Sequence, residues 1–249
     1  MNFDAVYILW LREIKRFMRS KSRIIGSLAF PTFILIIIGS GLNSVFTVGN
    51  LSYMEFLAPG MIGMVLLFSS ISFGIMIIWD RQFGFLKEIL VAPISRTSII
   101  LGKSLGGVTT AMFQALLFLI VCFVIGVPFP SPVRLMLLLV VMVLISVGFV
   151  LVGIAFSSRM KDFHGFSLIM NFVVMPIFFL SGAFFPLDKL PGWLKWLVYF
   201  DPLAYGVDAL RFCMVNTSTF PLWLNLFALT VFGTVATIVG ALLFRTTQL

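Results

Sequence analysis

The chain has 249 residues, 61% of them hydrophobic and 10% charged, with a mean hydropathy of +1.15 and a formal net charge of +8. Soluble domains run at roughly 45–50% apolar and 25% charged residues, so no water-soluble core absorbs this composition and the chain reads as an integral membrane protein. Its long unbroken runs of Leu, Ile, Val and Phe exclude a β-barrel, whose strands would alternate over short segments. A single histidine with no cysteine cluster excludes a metal centre of usual stoichiometry.

Residues 1–22 open the chain as an amphipathic helix. Phe3, Val6, Tyr7, Trp10, Ile14 and Phe17 recur at spacings of three and four, while Arg12, Lys15, Arg16 and Arg19 fall on the other side. That pattern suits a helix lying in the membrane interface. It is not a cleavable signal, because the charges continue to Arg23, the next apolar run is span-length, and no small-residue cleavage site follows. An apolar run of about 20 residues crosses a bilayer as a helix. Six are predicted, at 24–42, 56–78, 104–126, 135–157, 165–180 and 222–244. Pro31 can kink the first and free backbone carbonyls there.

Between the second and third spans, residues 80–96 predict a short helix parallel to the membrane. Asp80 is its expected N-cap, Phe83, Leu86, Ile89 and Leu90 line one face, Lys87 and Glu88 point elsewhere, and Pro93 ends it. Such a helix offers a docking surface to a soluble partner. Gly102-Lys103-Ser104 imitates the end of a phosphate-binding loop, but Thr97 stands where its first glycine belongs and no strand precedes it.

The spans carry few polar groups. Gln114 lies near the middle of the third, Asn171 in the fifth and Asn225 in the sixth, and none is charged. An ion-coupled carrier normally keeps ionisable residues in mid-membrane. Gly102 and Gly106, and Ala236 and Gly240, have the spacing that lets helix backbones approach closely, either at a dimer seam or within one subunit. Cys122 and Cys213 read as unpaired small apolar residues. Asn50-Leu51-Ser52 and Asn216-Thr217-Ser218 match the glycosylation sequon, a triplet common by chance.

Residues 181–211 are too polar and Pro-broken to cross a bilayer and too aromatic for a solvated loop. Ser181-Gly182 ends the fifth span early, and Trp193, Trp196, Tyr199, Phe200 and Tyr205 suit headgroup depth. The segment predicts a re-entrant pair of short helices. On this plan thirteen of the seventeen Lys and Arg residues and five of the nine acids share one side. That side carries the whole +8, which places it and both termini in the cytoplasm and makes the high charge a matter of topology rather than of nucleic-acid binding.

The interfacial helix, the 84–94 segment (aromatic and Gly, Leu-x-Glu, then Pro-Ile-Ser) and the 181–211 segment, in this order, resemble the permease subunits of ABC exporters of the type-2 superfamily. Within it, the daunorubicin-type drug exporter branch is the most similar. The resemblance implies an all-α membrane protein of six transmembrane helices forming a single permease domain over 1–249. Gly84, Phe85, Leu86, Lys87, Glu88, Ile89, Leu90, Ala92, Pro93 and Ile94 would insert into a groove of the ATPase. Phe184, Phe185, Pro186, Leu187, Pro191, Trp193, Pro202 and Tyr205 would form an outer gate. Gln114 and Asn171 are the polar candidates along a pathway, interhelix hydrogen bonds being their commoner use. Two copies of a separate ATPase would bind ATP and Mg, leaving this chain no cofactor and no catalytic residue. It would pair with itself or with a second permease in the plasma (inner) membrane. It would move a hydrophobic or amphiphilic compound outward by alternating access. Export of a lipid-linked polysaccharide is the alternative, and an ATP-independent carrier comes after it. The departures are short outer loops and no fused ATPase.

Overall fold

The computed structural model describes residues 2–43, 47–49, 51–91, 94–160 and 162–245, with the side chains of all of these but 86, 87, 90, 244 and 245. Helix α1 (Phe3–Arg19) starts where Asn2 Oδ1 accepts from Ala5 N at 3.3 Å. Asp4 lies in its first turn and Arg16 and Arg19 in its last, as the helix dipole favours. Its buried stripe is Ala5, Leu9, Glu13 and Phe17, four apart each time. Helix α2 (Lys21–Ile34) continues through a π-helical turn at Leu35–Gly39 into α3 (Ser40–Asn43). An antiparallel ribbon then pairs β1 (Thr47–Val48) with β2 (Leu51–Ser52).

Ser52 starts α4 (Tyr53–Ser72) with a capping box: its Oγ accepts from Glu55 N at 3.3 Å, and Glu55 Oε2 accepts from Ser52 N at 2.9 Å. A break at Phe73-Gly74 leads into α5 (Ile75–Gln82). It falls where two backbones touch, since a Cβ on Gly74 would lie 2.4 Å from the Gly153 carbonyl oxygen. Helix α6 (Phe85–Val91) follows Gly84, whose φ of +79° suits only a residue without Cβ. Next come α7 (Arg96–Ile125), capped by Ser95, and α8 (Pro132–Arg159). Helix α9 (Phe163–Ile169), a second π-helical turn at Met170–Val174 and α10 (Met175–Leu180) form one rod. Pro176 has no N–H for the Phe172 carbonyl, and the wider turn sits immediately before it. A 3₁₀ turn (Leu187–Lys189) precedes α11 (Gly192–Phe200), α12 (Pro202–Val215) and α13 (Leu222–Arg245).

Six helical rods are long and apolar enough to cross a membrane, and the described residues hold almost no strand, so the chain is an all-α membrane protein as expected. The second span is central, packed on α7, α8 and α12, with 72% of its apolar window buried. The first, fifth and sixth bury only 22%, 17% and 17%, which leaves them open faces. Lipid tails are as apolar as leucine, so close packing rather than apolar transfer holds such a bundle together. Gly102 and Gly106 show this. A Cβ on the first would lie 2.8 Å from Leu9 Cβ, and on the second 2.7 Å from Glu13 Cβ. This G-x-x-x-G face seats α1 within the subunit. Cys122 and Cys213 are both buried and free.

Candidate functional site

Three features are brought together by this fold. At the basic end, α6 lies under α1. Arg12 places its guanidinium 3.5 Å from the centre of the Phe85 ring, a cation–π contact. Ile89 is buried in a cluster with Leu9, Phe73, Ile77, Ile99 and Val150, with Phe85 and Ile94 packed beside it. Phe83, Glu88 and Val91 are exposed. One side of α6 is therefore held by the bundle and another is bare. The side chains of Leu86, Lys87 and Leu90, and Ala92 and Pro93 altogether, lie outside the described residues, as does Asn50 of the first sequon.

Asp80 does not cap this helix. It sits near the end of α5, 3% exposed, because α6 begins only after the Gly84 turn. There it accepts hydrogen bonds from Arg12 (Nη2 to Oδ1, 3.1 Å), Arg16 (Nη1 to Oδ1, 3.1 Å) and Lys103. Glu13, 2% exposed on the apolar stripe of α1, accepts from Arg12 at 2.9 Å and has Lys103 Nζ 3.9 Å away. Lys103 has no exposed surface. The three cations and two carboxylates tie α1, α5 and α7 together, and Phe85 connects that cluster to α6. The charged lysine that imitates a phosphate-binding loop is thus a structural ion-pair partner. Arg81 closes the end of α8, its Nη1 and Nη2 donating to the carbonyls of Met160 (2.7 Å) and Ser158 (2.9 Å).

Above this cluster, a cavity of about 440 Å³ opens between the first, second, third and fifth spans. Its walls include Phe30, Pro31, Met64, Val65, Phe68 and Met175, and its polar groups are Arg23, Ser27, Ser69, Ser72 and Gln114. Pro31 and Met175 put it beside both π-helical turns, the irregularities that often mark functional sites in helices. Gln114 is 3% exposed. Asn171, the other expected pathway residue, is exposed on the fifth span and does not line the cavity.

At the opposite end, the segment after the fifth span folds back over the second. Gly182 (φ +73°) turns the chain, and Ala183 packs on Gly60, where a Cβ would come within 2.7 Å of the Ala183 backbone. Phe184 stacks on Phe179 (5.6 Å, 20°), and its carbonyl accepts from Tyr53 Oη at 3.1 Å. Leu187 is buried, whereas Phe185 and Trp193 are exposed. Pro186 precedes the 3₁₀ turn, Pro191 precedes α11 and Pro202 opens α12. Tyr205 Oη donates to the Tyr199 carbonyl at 3.0 Å, tying α12 to α11. At about 1.5 Å per residue, the 14 residues of α12 reach about 21 Å, short of a bilayer core of about 30 Å. Yet α12 is buried on nearly every side, against α4, α8 and α13, the condition under which a helix too short to span is tolerated in a membrane.

Two charged side chains anchor this element. Asp208, 1% exposed, accepts from Thr219 N (2.7 Å), Phe220 N (3.0 Å) and Asn225 Nδ2 (2.9 Å). Arg211 donates to the Gly182 carbonyl (2.8 Å) and lies 4.0 Å from the centre of the Phe56 ring; burial brings its pKa down to about 10. Asp201 accepts from Leu203 N at 2.8 Å through Oδ1, while Oδ2 is buried with no partner. Burial pushes its carboxyl up to about 8. A raised acid pKa means the fold prefers the protonated form. Its stabilising contribution is complete below the unfolded value near 3.8 and is lost as pH rises towards 8. The thermal midpoint in detergent is therefore expected to fall between about pH 5 and 8 for the native chain. Asp201→Asn, which keeps the cap, should flatten that slope; an unchanged slope would mean another group titrates.

From sequence, Asp80 reads as a helix cap, Lys103 as part of a false phosphate-binding loop, Arg12 as the polar face of the first helix, and Glu13, Asp208 and Arg211 only as charges on one side or the other; none reads as the partner of another. The signal was present for Glu13, which interrupts the apolar series Leu9, Phe17 at the spacing of that face. Comparison with known proteins adds the lineage. The family model described as ABC-2 type transporter matches residues 4–215. The chain is 30% identical over 235 residues to the inner membrane transport permease YadH of Escherichia coli strain K12, covering 92% of this chain and 90% of that one. It is 26% identical over 252 residues to nodulation protein J of Rhizobium leguminosarum bv. viciae (98% and 94%). It is also 31% identical over 176 residues to the ycf38 protein of Porphyra purpurea. That match covers 70% of this chain and 60% of the length of that relative.

Proposed function

The chain belongs to the ABC-2 type transporter family, and from that premise we propose that it is the membrane subunit of an ATP-driven exporter. Its basic end faces the cytoplasm, with both termini there, in the plasma (inner) membrane. ATP and Mg bind on a separate ATPase, present in two copies, and the permease works as a dimer with itself or a sister subunit. The observation that carries this reading is α6. A short helix at the basic end is fixed by Phe85 and Ile89 to the bundle and leaves Glu88 and Val91 bare for a soluble partner.

A push on α6 has a rigid route inward. Phe85 bears on Arg12, and Arg12 shares Asp80 with Lys103 at the start of the third span. Displacement of α6 therefore moves α1 and α7 together, and α7 contributes Gln114 to the cavity wall. Alternating access would then empty that cavity towards the re-entrant cap formed by Phe184–Pro186, α11 and α12. The apolar walls favour a hydrophobic or amphiphilic cargo, as in the daunorubicin-type branch, over a long sugar chain. Mutation of the bare face tests the reading. In the complex with the ATPase, Glu88→Ala with Val91→Asp should cut cargo-dependent ATP hydrolysis about tenfold or abolish assembly, while the thermal midpoint of the permease alone stays put. A complex that hydrolyses ATP and transports as before would sink it.

A further inference from the structure

We infer that the cavity is a binding site for an anionic amphiphile, with Arg23 as the anchor for the anionic head and the apolar wall beyond it holding the tail. The inference deepens the exporter reading, on which the meaning of the site as a cargo site rests. Arg23 lines the cavity near the basic end and is half-buried, and among the described residues its guanidinium makes no hydrogen bond and no ion pair. Glu13, the acid whose charge attracts it, is already engaged by Arg12 and Lys103, and Arg16 repels it. Among the described residues, no carboxylate lines the cavity. A cation beside an apolar space is costly until an anion meets it, and a guanidinium offers paired donors to phosphate, sulfate or carboxylate.

A second, independent observation points the same way. Gln114 is 3% exposed, lines the cavity, and makes no hydrogen bond within the described protein. With no partner among the described residues and a place in the cavity wall, this amide is free to meet a polar group of a ligand. It shares the cavity wall with Met64, Val65 and Phe68. From Arg23 to Pro31 the first span advances about 12 Å, and about 440 Å³ suits a drug-sized guest. The chemistry selected is one anionic head, one acceptor or donor part-way along, and an apolar body.

The matched probes are anilinonaphthalene sulfonate and phenylnaphthylamine, the same rings without the sulfonate. Fluorescence titrations would use the full chain in phosphatidylcholine nanodiscs, with empty discs subtracted. The sulfonate should bind saturably and about tenfold or more tighter than the neutral probe. Arg23→Gln should erase that preference without weakening the neutral probe, Arg23→Lys should restore most of it, and Gln114→Trp, which fills the cavity, should remove both. Equal binding of the two probes, or a preference that survives Arg23→Gln, overturns the inference. Discs containing phosphatidylglycerol separate the two sources of such an anion. Competition assigns the site to a membrane lipid, and its absence to a soluble amphiphile. Because binding is read on the permease without ATP, it can stand or fall independently of the coupling role of α6.

Discussion

Asp80→Ala is expected to lower the stability of the bundle by about 3–5 kcal/mol, the range for breaking a buried ion pair from one side, or by roughly 10 °C in the thermal midpoint for a chain of this size. Asp80 alone receives Arg12, Arg16 and Lys103. Without it, Lys103 keeps, among the described residues, only Glu13 at 3.9 Å and has no exposed surface through which water could take over. The loss should be repaired in large part by adding Lys103→Met, because the pair is then replaced by apolar packing instead of being left half-made. The loosening should also reach α1, whose Arg12 and Arg16 would lose their shared acceptor, while its stripe on Gly102 and Gly106 remains. Thermal melts of the two single variants and the double variant check this. A double variant no better than the worse single would mean that Asp80 does something other than neutralise Lys103.

The six spans were legible because hydropathy integrates over twenty residues, and the helix over 3–19 because its period is 3.6. The 181–211 segment was legible as a break between spans, from its prolines and aromatic belt, and its two short helices fall at Gly192–Phe200 and Pro202–Val215. What was hidden is pairing over distance. Glu13, Asp80 and Lys103 meet only after α1 folds onto α7, and although Glu13 stands out on an apolar face, nothing local says which charges it meets. The Asp80 assignment failed for a related reason: an aspartate before an amphipathic run is a cap signal, but here the helix containing it runs on to Gln82 and the turn comes at Gly84. The G-x-x-x-G at Gly102 correctly signalled a close approach without naming the partner, since small residues specify distance and not identity. Ser52 and Glu55 spelled a capping box that was there to be read. The cavity could not be foreseen, because it is a gap among four spans whose relative rotation no single-span pattern encodes; of the two expected polar residues, Gln114 faces it and Asn171 does not.

Asp208→Ala should undo the anchorage of α12. The carboxylate takes three donors, two from the backbone at Thr219 and Phe220 and one from Asn225, and so pins α12 to the start of the sixth span. Removing it leaves these donors unsatisfied and takes from Arg211 its neighbouring negative charge, at about 1–3 kcal/mol for each group stranded in the dry interior. Cys213, on the same helix, reports the outcome. It is fully buried, and burial pushes its thiol up to about 11, so in the native chain it should resist a maleimide. With Cys122→Ala as background, Asp208→Ala should raise the labelling rate of Cys213 by about 30-fold, the equivalent of about 2 kcal/mol in the opening equilibrium. Asp208→Asn, which retains an acceptor of the same shape, should raise it much less. If the two variants label alike and as slowly as the parent, α12 is held by the packing of Val207 on Gly63 and of Ile145 on Gly206. The movable part of the cap would then be the exposed aromatic helix α11, with Trp193, Trp196 and Phe200 facing outward.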